Sequence, residues 1–165
     1  MLVISRYAAI FGSAMITALP LAVFVRAFAS LRMRKLNIST TRTHEIGAAL
    51  LIMYCAGIIA VTVVGDLSAL APENELLKVN LIPLRFVYDL IYGCYAGKPA
   101  AALINILGNI ALFLPFGFLL SLLWQGAGVR KTALASAAAS MFVELCQLTQ
   151  TGRSTDIDDI ILNTL

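Results

Sequence analysis

The sequence predicts an all-α fold: a polytopic transmembrane helical bundle with four spanning helices plus the start of a truncated fifth. Three observations predict it. Hydrophobic residues make up 60% of the 165 residues and charged ones only 13%, against about 25% charged in soluble domains. Mean hydropathy is +0.89, which is more apolar surface than a soluble chain of single-domain length can hide. The charged residues also punctuate uncharged runs, each long enough to cross a bilayer at about 1.5 Å per residue.

The first run, residues 7–25, lies between Arg6 and Arg26 and contains Pro20, which membrane helices tolerate. Ala27-Phe28-Ala29 resembles a signal-peptide cleavage site. The run is long for a signal sequence and a basic cluster follows it closely, so it is read as a retained helix. That cluster, Arg26, Arg32, Arg34, Lys35 and Arg42, is opposed only by Glu45. Residues 26–45 thus read first as a basic cytoplasmic loop and second as a lipid or partner site. The second run, 46–65, closes at Asp66, and residues 1–78 form an N-terminal region around these two segments.

Residues 66–98 are mixed in charge and interrupted by Pro72 and Pro83. Within them 84–95 is apolar and aromatic, suited to lie in the interface with Tyr88, Tyr92 and Tyr95 at headgroup depth. The third span is placed at 101–124, bent by Pro115 with Gly117. Gln125 to Gly128 form a loop, and Arg130 and Lys131 complete a second basic loop, 125–131. The fourth span, 132–151, opens with Ala133, Ser136, Ala137 and Ser140, small residues that let helices approach closely. A fifth helix starts at 155–165, too short there to cross. Both basic loops fall on one side and the acidic stretches 66–98 and 152–159 on the other. The positive-inside rule then puts the N-terminus outside an inner (plasma) membrane.

Polar groups at membrane depth are costly, which makes them functional candidates. Asn105 and Asn109 share one face of the third span, and Glu144 and Gln147 share one face of the fourth. By helical rise Glu144 lies about 10 Å and Asn109 about 12 Å below the outer ends of their helices, so the two faces can meet. Just above them comes Gly152-Arg153-Ser154-Thr155-Asp156-Ile157-Asp158-Asp159, followed by Asn163. Thr155 is the expected N-cap with Asp158 at N3, and Asp156, Asp159 and Asn163 are spaced to share a face. The stretch reads either as a capped helix start or as the lid of a polar site.

Much chemistry is excluded. The single His, His44, lies in the basic loop, which removes His-based catalysis and His-ligated metal from the polar cluster. Cys55, Cys94 and Cys146 have no CxxC spacing and read as packing residues. Neither a glycine-rich phosphate loop nor a Ser/His/Asp set is present. The net charge of +3 comes from membrane-boundary residues rather than one basic stripe, so no nucleic acid is implied. No cofactor is indicated, although an oxygen-rich acidic set of this kind suits a divalent cation, Mg²⁺ or Ca²⁺.

Asn80-Leu81-Ile82-Pro83, Asn105-Ile106-Leu107-Gly108-Asn109, Phe113-Leu114-Pro115-Phe116-Gly117-Phe118, Glu144-Leu145-Cys146-Gln147 and the Gly152–Asp159 stretch with Asn163 occur in an order and spacing that resembles the VanZ-like family. The resemblance covers 79–165. It departs at Leu84, where the family usually has Phe, and at the end, where the family continues past Asn163 into a glycine-rich membrane helix. It implies a bacterial cell-envelope membrane protein, since the founding member is linked to low-level teicoplanin resistance, and it brings no established enzymatic activity. Three functions follow as expectations. One is a protein whose outward-facing polar site, Asn105, Asn109, Glu144, Gln147, Arg153, Asp156, Asp158, Asp159 and Asn163, binds a lipid-linked or cell-wall component and alters glycopeptide susceptibility. A second is a membrane-embedded enzyme acting on a lipid headgroup. The third, least favoured by the small helix count and lack of repeats, is a transporter using Glu144. Membrane lipids are the expected partners, and the sequence carries no sign of an oligomeric state.

Overall fold

The computed structural model describes residues 2–64, 78–92, 99–124, 126–147 and 154–164. These form α1 (Leu2–Lys35), α2 (Arg42–Ile59) continued by a π-helical turn (Ala60–Val64), β1 (Lys78–Asn80), α3 (Arg85–Tyr92), α4 (Pro99–Leu123), α5 (Gly128–Gln147), β2 (Ser154–Asp156) and α6 (Ile157–Thr164). Among the described residues, three helical stretches are long and apolar enough to cross a membrane: Ser5–Lys35, Arg42–Val63 and Leu103–Leu123. The expected fourth span is not among them. α5 carries Arg130 and Lys131 in its first turn and Glu144 near its end, and its small and hydroxyl residues lower its hydropathy further. α6 has eight described residues, about 12 Å of helix.

The chain divides into two compact units. The first comprises residues 1–66 and 118–128. Its α1 does not stop where the uncharged run ends; it continues through Arg26, Arg32 and Arg34 to Lys35. Most of the expected 26–45 loop is therefore helix, because straight-chain Arg, Lys, Leu and Met propagate a helix well. α1 ends in a Schellman-type closure: Asn37 takes a left-handed φ of 57°, and the Ile38 N–H donates to the Met33 carbonyl at 3.0 Å. Thr41 then caps α2, its hydroxyl accepting from the His44 N–H at 3.2 Å.

α1 and α2 pack closely at Gly57, where a Cβ would lie 2.7 Å from the Phe11 ring. That ring is held edge-on against Tyr54, with centroids 5.1 Å apart. Lower along the pair, Arg26 and Glu45 form an ion pair of 2.7 Å. Between α4 and α5 the chain turns through Gly126, and Gly126 and Gly128, the first residue of α5, are both left-handed, a conformation that glycine takes without penalty.

The second unit comprises residues 67–117 and 129–165. It holds β1, α3, the first part of α4, α5, β2 and α6. β1 and β2 pair in parallel, Lys78 with Ser154, Val79 with Thr155 and Asn80 with Asp156. This pairing lies where sequence patterning gives only loop, and it draws Thr155 into a strand. The cap of α6 therefore falls one residue later than expected, on Asp156.

Candidate functional site

The site lies wholly in the second unit and begins with α5. Its buried residues are Ser136, Ser140, Val143, Glu144 and Gln147, a spacing that places them on one face. Leu134, Met141, Phe142 and Leu145 are exposed. α5 thus turns a mostly polar stripe inward and an apolar stripe outward, the inverse of the pattern of a soluble amphipathic helix.

Asp156 links three elements. Its side chain accepts from the Asn80 amide of β1 at 2.9 Å and from the Asp158 N–H at 2.9 Å, the second bond capping α6. Its backbone N–H donates to Glu144 Oε2 on α5 at 3.1 Å. Glu144 is only 4% exposed, a burial that a carboxylate sustains only when its oxygens are engaged.

Asp158, 2% exposed, reaches the other way. Its Oδ1 accepts from the Leu84 N–H at 2.6 Å and its Oδ2 from the Phe86 N–H at 2.9 Å. These N–H groups belong to the start of α3, so a carboxylate on one helix caps another. The same bonds hold Leu84 in a left-handed φ of 63°, which costs a branched residue about 1–2 kcal/mol.

Asp159 turns to α4, accepting from Asn109 Nδ2 at 2.6 Å, and the Asn105 side chain also bonds it. Asn163, 7% exposed, donates to Ser140 Oγ at 2.8 Å. The structure thus brings together Asn105, Asn109, Glu144, Asp156, Asp158 and Asp159. It sets Asn163 against Ser140 instead and leaves Gln147 buried on α5. Arg153 lies outside the described residues. Two residues of the network were not among the sequence candidates. Asn80 was legible only as the first residue of the Asn80–Pro83 block, and Ser140 only as one small residue among several.

Burial pushes the Asp159 carboxyl up from 3.8 to about 6, the Asp156 carboxylate adds to the rise, and the Asn105 and Asn109 amides oppose it. A carboxyl that titrates near neutrality can give or take a proton. Both oxygens of Asp158 are occupied by backbone donors. Among the described residues, no three His, Cys, Asp or Glu side chains are placed to hold a metal ion.

The family model for VanZ/LLP1 matches residues 46–165, which takes in every residue of this network. The chain belongs to the VanZ/LLP1 family. The VanZ/LLP1 match also extends back over α2, beyond the 79–165 region that carries the sequence resemblance. Together with the three long apolar helices, it makes this a membrane protein of the VanZ type. No curated protein and no solved structure matches the chain.

Two outcomes are expected of the VanZ/LLP1 network. Asp158→Asn replaces one acceptor with a donor facing a backbone N–H, at a cost of about 1–3 kcal/mol. Hydrogen exchange should then show the Leu84 and Phe86 amides opening about tenfold faster or more, with α1 and α2 unchanged. The raised Asp159 pKa has a pH signature. Its contribution to stability is full below about 4 and is lost as pH rises through about 6. Asp159→Asn, which keeps an acceptor for Asn109, should therefore gain stability over wild type as pH rises across that window, by roughly 1–3 kcal/mol in detergent melts.

Proposed function

We propose that the second unit presents an outward-facing polar site that binds a lipid-linked or cell-wall component and so influences susceptibility to glycopeptides such as teicoplanin. The observation that carries this reading is the convergence of side chains from β1, α4, α5 and α6 on Asp156–Asp159 within so apolar a chain. Family membership supports the envelope setting. In this reading the acids divide their work. Asp156, Asp158 and Glu144 hold the backbone, while Asp159 with Asn105 and Asn109 faces the ligand, offering amide donors and an ionisable carboxyl to its hydroxyl and amide groups. Arg153, three residues before Asp156, supplies the cation for any phosphate the ligand carries.

The same reading sets the chain in the inner membrane as a multi-pass protein. α5 serves as a fourth span, since its polar face is buried and its apolar face exposed. The N-terminus is outside and the basic stretches 26–45 and 125–131 are cytoplasmic.

The raised pKa of Asp159 favours one second reading, a membrane-embedded enzyme acting on a lipid headgroup, with Asp159 moving the proton. A divalent cation in such an enzyme needs only one or two of these carboxylates, with water and substrate completing its shell.

One experiment separates these readings. Asp159→Asn, Asn105→Ala and Arg153→Gln are made singly in the full chain, and envelope lipids and wall precursors are profiled by mass spectrometry beside the teicoplanin response. Binding predicts a several-fold change in teicoplanin response with an unchanged envelope profile. Catalysis predicts accumulation of one discrete lipid. Wild-type behaviour of all three variants at normal expression would remove the polar site from function altogether.

A further inference from the structure

The first unit carries a second polar feature, remote in sequence from the acidic network. At the corner where α1 hands over to α2 there is a cavity of about 620 Å³, within the ~300–1,000 Å³ range of small-ligand sites. Two guanidinium groups, Arg34 and Arg42, line it. Glu45 is the acid in its wall, and that carboxylate is already engaged. Arg26 Nε donates to its Oε2 at 3.0 Å, Arg26 Nη2 sits 2.7 Å from its Oε1, and the Thr40 hydroxyl bonds it as well. Among the described residues, neither Arg34 nor Arg42 has a carboxylate in ion-pair contact. With Glu45 neutralised by Arg26, the cavity presents two uncompensated positive charges.

The remaining lining suits one kind of anion. Ser30 and Ser39 add hydroxyl groups and Ile38 and Ile46 add apolar walls. Both isoleucines are more than half exposed. The corner is also preformed. The left-handed Asn37 closes α1 and Thr41 caps α2, so the residues between the helices are held from both ends. The two helices that meet here are both apolar enough to span, which puts the cavity at the level where phospholipid headgroups lie.

We propose that this corner binds a phosphate-bearing anion, supplied by the headgroup of an acidic phospholipid. Arg34 and Arg42 clasp the phosphate oxygens, the Ser39 hydroxyl donates to the phosphate, the Ser30 hydroxyl, whose proton goes to the Ala27 carbonyl, accepts from the headgroup alcohol, and Ile38 and Ile46 lie along the start of the acyl chains. The site is independent of the acidic network and of the function assigned to it.

The test uses the full chain in nanodiscs of mixed phosphatidylglycerol and phosphatidylcholine, followed by native mass spectrometry of the lipids retained on release. Wild type should retain phosphatidylglycerol preferentially. Arg34→Gln and Arg42→Gln should each lower that preference about fivefold, and the double variant should abolish it. Arg130→Gln, a boundary arginine outside the cavity, should leave the preference intact. Arg34→Lys with Arg42→Lys, which keeps the charge and gives up the forked geometry, should lose part of it. Equal phosphatidylglycerol retention by wild type and the double glutamine variant overturns the site, as does an equal loss in Arg130→Gln. Displacement of the retained lipid by inorganic phosphate overturns the headgroup assignment, since the site would then favour the free anion.

Discussion

The second unit depends on one carboxylate. Asp158 accepts from backbone N–H groups 74 and 72 residues upstream, and through them it sets the elbow between β1 and α3. α3 has only eight residues, too few to be stable alone in water. Its N-terminal donors would be orphaned without an acceptor. Asp158 satisfies them, fixes Leu84 in its left-handed conformation, and in doing so ties the start of α6 to the start of α3. The parallel pairing of β1 with β2 runs alongside this link and fixes the register.

The neighbouring acids extend the same logic to the rest of the unit. Asp156 connects β1 to α5 through Asn80 and Glu144, and Asp159 connects α6 to α4 through Asn109. The link to Glu144, only 4% exposed, gives a buried carboxylate a backbone donor, the condition under which such groups are tolerated in an apolar setting. Asp159 differs from Asp156 and Asp158 in bonding only side chains, those of Asn109 and Asn105, and its carboxyl is pushed up to about 6. That difference makes it the member of the set with chemistry to spare after the backbone has been secured.

Much of this was legible in the sequence. Uncharged runs between charged boundaries located α1, α2 and α4, and helical spacing put Asn109 and Glu144 at depths where one terminal stretch could meet both. Other features were not. The cap of α6 moved from Thr155 to Asp156 because a three-residue strand pairing claimed Thr155, and so short a parallel pair leaves no periodic signal. The basic stretch 26–45 reads as loop if charge marks a boundary, whereas Arg and Lys continue a helix with little penalty, as α1 does to Lys35. The fourth span is expected to start after Lys131, yet α5 begins at Gly128 and takes both basic residues into its first turn. The role of Asp158 was invisible, since its partners are backbone N–H groups, which carry no sequence identity.

The central claim is that terminal acids bond specific partners on the preceding helices, and a double-mutant cycle on Asn109 and Asp159 tests it most directly. Asn109→Ala, Asp159→Ala and the double variant are compared by reversible unfolding in detergent. A 2.6 Å bond between these side chains predicts a coupling energy of about 1–2 kcal/mol. Additive effects, within ~0.5 kcal/mol, would contradict the account.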